Sequence, residues 1–144
     1  MLTLADFRGE WRIGRDITDR LTGKTGRMDG VARFADEAAD VLLYEEHGRL
    51  RLGDGPVMEA TRRYRWHFTD GRVEVTFDDG APFHGFVPQG YVAGTDHPCG
   101  DDAYAVRYDF IPWPRWRAVW IVTGPRKDYT STTEYTRPDG PGPA

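Results

Sequence analysis

The chain has 144 residues, of which 13% are aromatic, and it carries a formal net charge of −4. This length accommodates one domain with a substantial core and is too short for two full domains. The acidic balance argues against a general nucleic-acid binder, and no apolar run approaches the roughly 20 residues of a membrane span. The N-terminus lacks the basic and apolar regions of a secretory signal. The single cysteine, Cys99, excludes an internal disulfide and, together with the missing signal, favours a cytoplasmic protein.

Only the first residues are typical of a helix. Thr3 is a suitable N-cap for one turn over residues 4–7, which Gly9 would end. The remainder alternates apolar and polar residues with period two, as half-buried strands do. In chain order, the predicted strands cover residues 11–17, 28–34, 41–46 (continued by or paired with 49–52), 58–68, 73–77, 82–87, 104–110, 116–122 and 127–137.

Turn residues separate these strands. Asp-Gly pairs at 70–71 and 79–80 are typical of hairpins. Residues 88–101 are predicted to form the longest irregular stretch, and residues 138–144 a disordered Pro/Gly tail. Because the connections are short and local, they favour an all-β antiparallel meander of eight to ten strands closed into a barrel over a sandwich. We expect this barrel to be a single domain over residues 1–137.

The segment that enters the first strand resembles the Gly-x-Trp entry of lipocalins, members of the calycin superfamily. Gly9, Glu10 and Trp11 carry this resemblance. In that superfamily a short turn plugs one end of the barrel, and an arginine late in the chain packs on the tryptophan. The resemblance therefore implies that Arg137, at the end of a last strand lying beside the first, makes a cation–π contact with Trp11.

The chain as a whole resembles an uncharacterised bacterial family of lipocalin-like barrels known only as a domain of unknown function. The motifs that carry the resemblance are GEW at 9–11, LYEE at 43–46, RRYRW at 62–66, PFH at 82–84, HPCG at 97–100, YAVRYDF at 104–110 and TGPRKDY at 123–129. The resemblance implies the fold. It implies no established activity, so no catalytic residue is transferred from it.

Two arginines lie in phase with apolar residues of their strands. Arg15 follows the phase of Trp11, and Arg62 follows the phase of Tyr64 and Trp66. If these faces line the barrel, both guanidinium groups point inward, where a charge is costly unless it is paired.

Two interpretations of these arginines remain open. They could hold the carboxylate of a ligand, with the Tyr64 hydroxyl as a further donor. Alternatively, a carboxylate of the protein itself, such as Glu45, Glu46 or Asp109, could neutralise them.

A second candidate group consists of His84, His97 and Cys99. His97 and Cys99 are two residues apart, so on an extended segment they face the same way. With His84 they are a conceivable three-ligand zinc set, and Cys99 beside a histidine is a conceivable nucleophile. Their spacing matches no metal motif. We therefore expect the three residues to meet at one mouth of the barrel without binding a metal.

A third group contains Tyr104, Tyr108, Asp109 and the segment Lys127-Asp128-Tyr129. A tyrosine and a carboxylate inside a barrel could perform general acid–base chemistry. Tyrosines that alternate along a strand are more often core residues with one solvated end.

Three functions compete. The favoured hypothesis is a barrel that binds a small, largely apolar or amphiphilic ligand with an acidic head group, without a cofactor. The alternatives are a cofactor-free isomerase, cyclase or lyase that uses His, Tyr and Asp side chains as acid–base groups, with no catalytic residue assigned, and a barrel packed solid by its 19 aromatic residues. We expect neither nucleic acid nor a membrane as partner, and homodimerisation is open. The residues expected to contact the ligand are Arg15, Arg62, Tyr64, Trp66, His84, His97, Tyr108, Trp120 and Tyr129.

Overall fold

The computed structural model describes residues 1–95 and 97–138, and for residues 97–99 it describes the backbone alone. Within these ranges the chain forms one short helix and eleven strands. The helix α1 spans Leu4–Phe7, and the strands are β1 Gly9–Asp19, β2 Thr25–Ala38, β3 Val41–Leu52, β4 Met58–Thr69, β5 Arg72–Phe77, β6 Pro82–Phe86, β7 Tyr91–Ala93, β8 His97–Cys99, β9 Asp102–Asp109, β10 Trp116–Thr123 and β11 Asp128–Thr136.

The strands follow one another around a nearly closed antiparallel barrel. The order β6-β5-β4-β3-β2-β1-β11-β10-β9-β7 is sequential except where β1 pairs with β11 and where β7 pairs with β9. The short strand β8 also pairs with β9, beyond the end of β7. The two ends of this sheet meet where the Thr95 amide donates to the Gly85 carbonyl at 2.9 Å. The predicted all-β meander barrel with a short N-terminal turn is therefore confirmed.

Burial alternates along the strands as the sequence pattern predicts. On β1, Trp11, Ile13 and Arg15 are buried, whereas Arg12 and Asp16 are exposed. The same alternation places Val106 and Tyr108 of β9 inside. A one-residue change of register would turn each of these side chains to the opposite face, so the apolar pattern fixes the register.

The helix closes one end of the barrel. Phe7 is completely buried and packs against a shell of aromatic rings that includes Trp66, Phe110 and Trp116. The opposite end, which we call the mouth, carries the loops 20–24, 53–57, 78–81 and 124–127.

The predicted contact between Trp11 and Arg137 is present at the closed end. The Arg137 guanidinium lies 3.7 Å from the centre of the Trp11 ring. It also donates to the backbone carbonyls of Asp6 and Arg8 at 2.8 and 3.0 Å, so it joins the last strand to the helical turn. The Trp11 indole donates a hydrogen bond to the Phe7 carbonyl at 2.8 Å, so Trp11 also fixes the position of this helical turn.

The prediction of an irregular segment at 88–101 was partly wrong. The segment contains β7 and β8, each only three residues long, which add to the free edge of β9. Such short strands leave no room for a period-two pattern to develop. The predicted tail lies outside the described residues beyond Pro138.

Among the described residues, no helix has the length and hydropathy that a bilayer crossing requires.

Candidate functional site

A buried ion pair occupies the centre of the barrel. Arg15 and Glu46 are 4% and 2% exposed, and the two terminal nitrogens of Arg15 donate to the two carboxylate oxygens of Glu46 at 3.0 and 2.6 Å. The Arg15 Nε donates to the Thr133 hydroxyl at 2.7 Å. This bidentate geometry is the strongest form of a charged hydrogen bond. Glu46 therefore occupies the donors that Arg15 was expected to offer to a ligand.

Two tyrosines complete the surroundings of the carboxylate. The Tyr44 hydroxyl donates to the second oxygen of Glu46 and lies 2.8 Å from the Tyr135 hydroxyl. Burial alone would raise the pKa of Glu46, but the charge of Arg15 outweighs it and holds the pKa below its ordinary value. Burial raises the pKa of both tyrosines, so they remain protonated donors at neutral pH.

Arg62 lies directly opposite this carboxylate on the neighbouring strand. Its Cα pairs in register with that of Glu46, and both side chains face inward. Opposite charges at such positions ordinarily form a cross-strand pair. Here Glu46 is already engaged by Arg15 and Tyr44, and the Arg62 guanidinium instead lies 4.5 Å from the centre of the Trp120 ring.

The other carboxylates considered as partners of Arg62 lie elsewhere. Glu45 faces outward and pairs with Arg63 at 2.8 Å. Asp109 accepts a hydrogen bond from the Ile111 amide at 3.0 Å, in the turn after β9. Among the residues that the structure describes, none forms an ion pair with Arg62.

Three hydroxyl groups belong to residues near Arg62. Tyr64 and Tyr129 are both close enough for the charge of Arg62 to act on their ionisation, and Ser131 is the cross-strand partner of Trp120. Within the described ranges none of these hydroxyls makes a hydrogen bond, and that of Ser131 is fully buried. Burial raises the pKa of Tyr64 to about 12 although Arg62 opposes the shift, so this phenol is also a donor at neutral pH.

A small cavity lies below Arg62 and Trp120. Its volume is about 20 Å³, which is space for roughly one water molecule. The His84 Nε2 and the Tyr108 hydroxyl, 2.8 Å apart, lie on its wall. The centre of the barrel is therefore almost filled by side chains.

Lys127 lies at the rim of the mouth. Its ammonium donates to the Tyr104 hydroxyl at 3.2 Å and lies 3.4 Å from Asp102. The hydrogen bond with Tyr104 and the charge of Asp102 raise the pKa of Lys127. Lys127 is thus a paired cation, unlike Arg62.

The expected ligand contacts fall into two layers. Arg62, Trp120 and Tyr129 lie toward the mouth, and Tyr64 lies between the two layers. The remaining described residues line or surround the filled centre: Arg15, Trp66, His84 and Tyr108. The side chains of His97 and Cys99 lie outside the described part of the structure, and so does the predicted meeting of these two residues with His84.

Sequence reasoning missed Ser131 as a member of this site. The alternation that places Tyr129 and Tyr135 inside also places Ser131 inside, which is a signal that could have identified it. Among the described residues, no group of His, Cys, Asp and Glu side chains is placed to hold a metal ion.

The fold and its interior define an antiparallel β-barrel with a cation, Arg62, toward its mouth that forms no ion pair with any described residue. The chain belongs to a family of unknown function, DUF6314, whose model matches residues 7–137. A comparison with curated proteins finds no match.

Two solved structures are similar to this barrel. The S-type phycobiliprotein lyase CPES from Guillardia theta superposes with a TM-score of 0.67 at 11% identity, over 96% of this chain and 92% of the lyase. A protein of unknown function from the DUF3598 family of Nostoc punctiforme gives a TM-score of 0.60 at 13% identity, over 94% of this chain. The present chain spans 48% of that second protein. At these identities the likeness concerns the fold.

Proposed function

We propose that the protein binds a small molecule with an acidic group at the barrel mouth, and that Arg62 is the anchor. The observation that carries this proposal is the missing partner of Arg62. Its cross-strand neighbour Glu46 is engaged by Arg15 and Tyr44, and no other described carboxylate pairs with Arg62. A half-buried guanidinium without a carboxylate is costly unless an anion joins it.

The balance of interior charge supports the same conclusion. Arg15 and Arg62 both face the interior, whereas Glu46 is the buried carboxylate beside them. The protein carries an overall charge of −4, yet these three described residues together carry an excess of one positive charge. The neighbouring hydroxyls of Tyr64 and Tyr129 can donate to an anion, and their raised pKa values keep them protonated.

The small central cavity determines where the body of the ligand would lie. A cavity of about 20 Å³ cannot hold a hydrocarbon chain, so we place the ligand above Trp120 and not at the centre of the barrel. Arg62, Tyr64, Trp120 and Tyr129 remain proposed contacts. Arg15 is not retained as an anchor, because Glu46 holds both of its terminal nitrogens.

The enzyme hypothesis has less support. Among the His, Tyr and Asp side chains considered as acid–base groups, His84 and Tyr108 adjoin a cavity with space for roughly one water. A cavity of this size does not accommodate a substrate beside these two groups.

Titration with a compact fluorescent acid, such as a naphthalene sulfonate, tests the proposal. Arg62→Met removes the charge and keeps much of the length of the side chain. Its matched control is Arg63→Met, because Arg63 is the next residue, faces outward and pairs with Glu45 at the surface. We expect Arg62→Met to weaken binding by about 1.5–3 kcal/mol, the value of a charged hydrogen bond, or roughly ten- to hundredfold.

Arg63→Met should bind the probe like the native chain. Equal affinity of all three proteins would contradict the anchor, and so would a native chain that does not bind the probe. Circular dichroism of each variant verifies that the barrel is folded.

A further inference from the structure

Aromatic rings enclose the proposed anchor on the side of the barrel interior. The Trp120 ring lies beneath the Arg62 guanidinium. The rings of Tyr64, Phe83 and Tyr104 contact Trp120 at centroid distances of 6.1, 5.2 and 6.2 Å, with interplanar angles of 61°, 81° and 81°. A ligand held by Arg62 therefore has aromatic surfaces as its nearest apolar neighbours.

The packing below this layer restricts the shape of the ligand. The space under Trp120 measures about 20 Å³, so this cavity among the described residues has no room for a flexible tail. Tyr64, Tyr104 and Trp120 are only half-buried, unlike the aromatic residues of the filled centre. A compact ligand at the level of these three residues can therefore bury more of its apolar area against them than a long chain can.

The chemistry of these surfaces selects among compact bodies. Aromatic rings attract one another in edge-to-face and offset arrangements, by about 0.5–1.5 kcal/mol per pair beyond the burial of apolar area. A saturated ring of the same size buries its area without this attraction. A guanidinium group and a carboxylate that form two parallel hydrogen bonds lie in one plane. When the carboxylate is conjugated to an aromatic ring, the ring lies in the same plane, so the whole ligand is flat.

We propose that the ligands of this site are aromatic acids, in which a carboxylate is attached directly to a flat conjugated ring system. The inference rests on the proposed function, because it requires Arg62 to hold the carboxylate. It goes further because it states that the body of the ligand is an aromatic ring system, which contacts Tyr104 and Trp120.

Three probes with one carbon skeleton separate ring recognition from charge recognition. They are 2-naphthoate, its fully saturated decahydro analogue, and the uncharged 2-naphthamide. Binding is measured by calorimetry with the native chain. We expect naphthoate to bind about tenfold more tightly than the saturated acid, which corresponds to about 1.4 kcal/mol, and the amide to bind more weakly than either acid.

Variants of the aromatic layer test the assignment further. Tyr104→Leu should reduce the preference for naphthoate over the saturated acid to about two- to threefold, as expected for the loss of one aromatic pair. Trp120→Leu provides the same readout from a second position if Tyr104→Leu fails to fold. Tyr91→Leu is the control, because Tyr91 is exposed on β7, away from Trp120.

The outcomes distinguish this inference from the proposed function. Equal affinity for the two acids, with both weakened in Arg62→Met, would overturn the aromatic class and leave the anchor intact. Equal binding of naphthoate and naphthamide would overturn the anchor, and with it the inference. A preference for naphthoate that persists unchanged in both Tyr104→Leu and Trp120→Leu would overturn the assignment to these rings.

Discussion

Replacing Glu46 by glutamine should strongly destabilise the barrel. Glu46 and Arg15 are 2% and 4% exposed and share two hydrogen bonds at 3.0 and 2.6 Å. The amide keeps the shape of the carboxylate, but it turns one acceptor into a donor that faces the donors of Arg15. It also leaves two interior cations, Arg15 and Arg62, without a counter-charge. Removal of one partner of a buried pair costs about 3–5 kcal/mol.

Urea unfolding followed by tryptophan fluorescence measures this cost. With a slope of about 2 kcal/mol per molar urea, a loss of about 4 kcal/mol lowers the midpoint by roughly 2 M. Glu45→Gln is the matched control, because Glu45 is the preceding residue and its pair with Arg63 is at the surface. Such exposed pairs contribute about 0–1 kcal/mol. If the two variants unfold within about 1 kcal/mol of each other, the buried pair does not have the role described here.

Three further perturbations test the same structure. Trp11→Ala should lower the free energy of unfolding by about 3–5 kcal/mol, because the buried ring carries both Arg137 and the helical turn; an unchanged denaturation midpoint would refute its placement. Arg62→Met should not lower that free energy by more than about 1 kcal/mol, since the guanidinium has no ion-pair partner among the described residues; a loss of several kcal/mol would indicate a structural role instead. Burial raises the pKa of Tyr64 to about 12, whereas an unfolded tyrosine ionises near pH 10. The contribution of Tyr64 is therefore complete below about pH 10 and lost as the pH rises toward 12. Tyr64→Phe should unfold with a shallower pH dependence in this window, and identical profiles would contradict the shift.

Much of the fold could be predicted because its period-two pattern is nearly uninterrupted. Long strands such as β4 and β10 carry enough alternating residues to define an inner face. The contact of Arg137 with Trp11 followed from the resemblance at 9–11 together with the pairing of the first and last strands. The strands β7 and β8 could not be predicted, because three residues are too few to establish a period.

The candidate site was predictable only in part. The alternation showed that Arg15 and Arg62 face inward, but not which of them Glu46 would neutralise. In register Glu46 lies opposite Arg62, and yet its side chain pairs with Arg15, two strands away. This choice depends on side-chain reach across the barrel, which a sequence pattern does not contain.

Whether the barrel is open or filled could not be predicted from the sequence either. A chain with 13% aromatic residues can either line a cavity or fill it, and the two arrangements have the same inward pattern. The rings of Phe83, Tyr108 and Trp66 fill the centre here, which leaves a cavity of about 20 Å³. The proposed site therefore moves from the middle of the barrel to its mouth.

The most direct test of the account is the location of a bound acid. A crystal of the native protein grown with 6-bromo-2-naphthoate would reveal the ligand through the anomalous scattering of bromine. We predict one bromine site at the mouth, with the carboxylate within hydrogen-bonding distance of Arg62 and the rings against Trp120 and Tyr104. Bromine located on the outer wall of the barrel, or a carboxylate bound away from Arg62, would contradict the account.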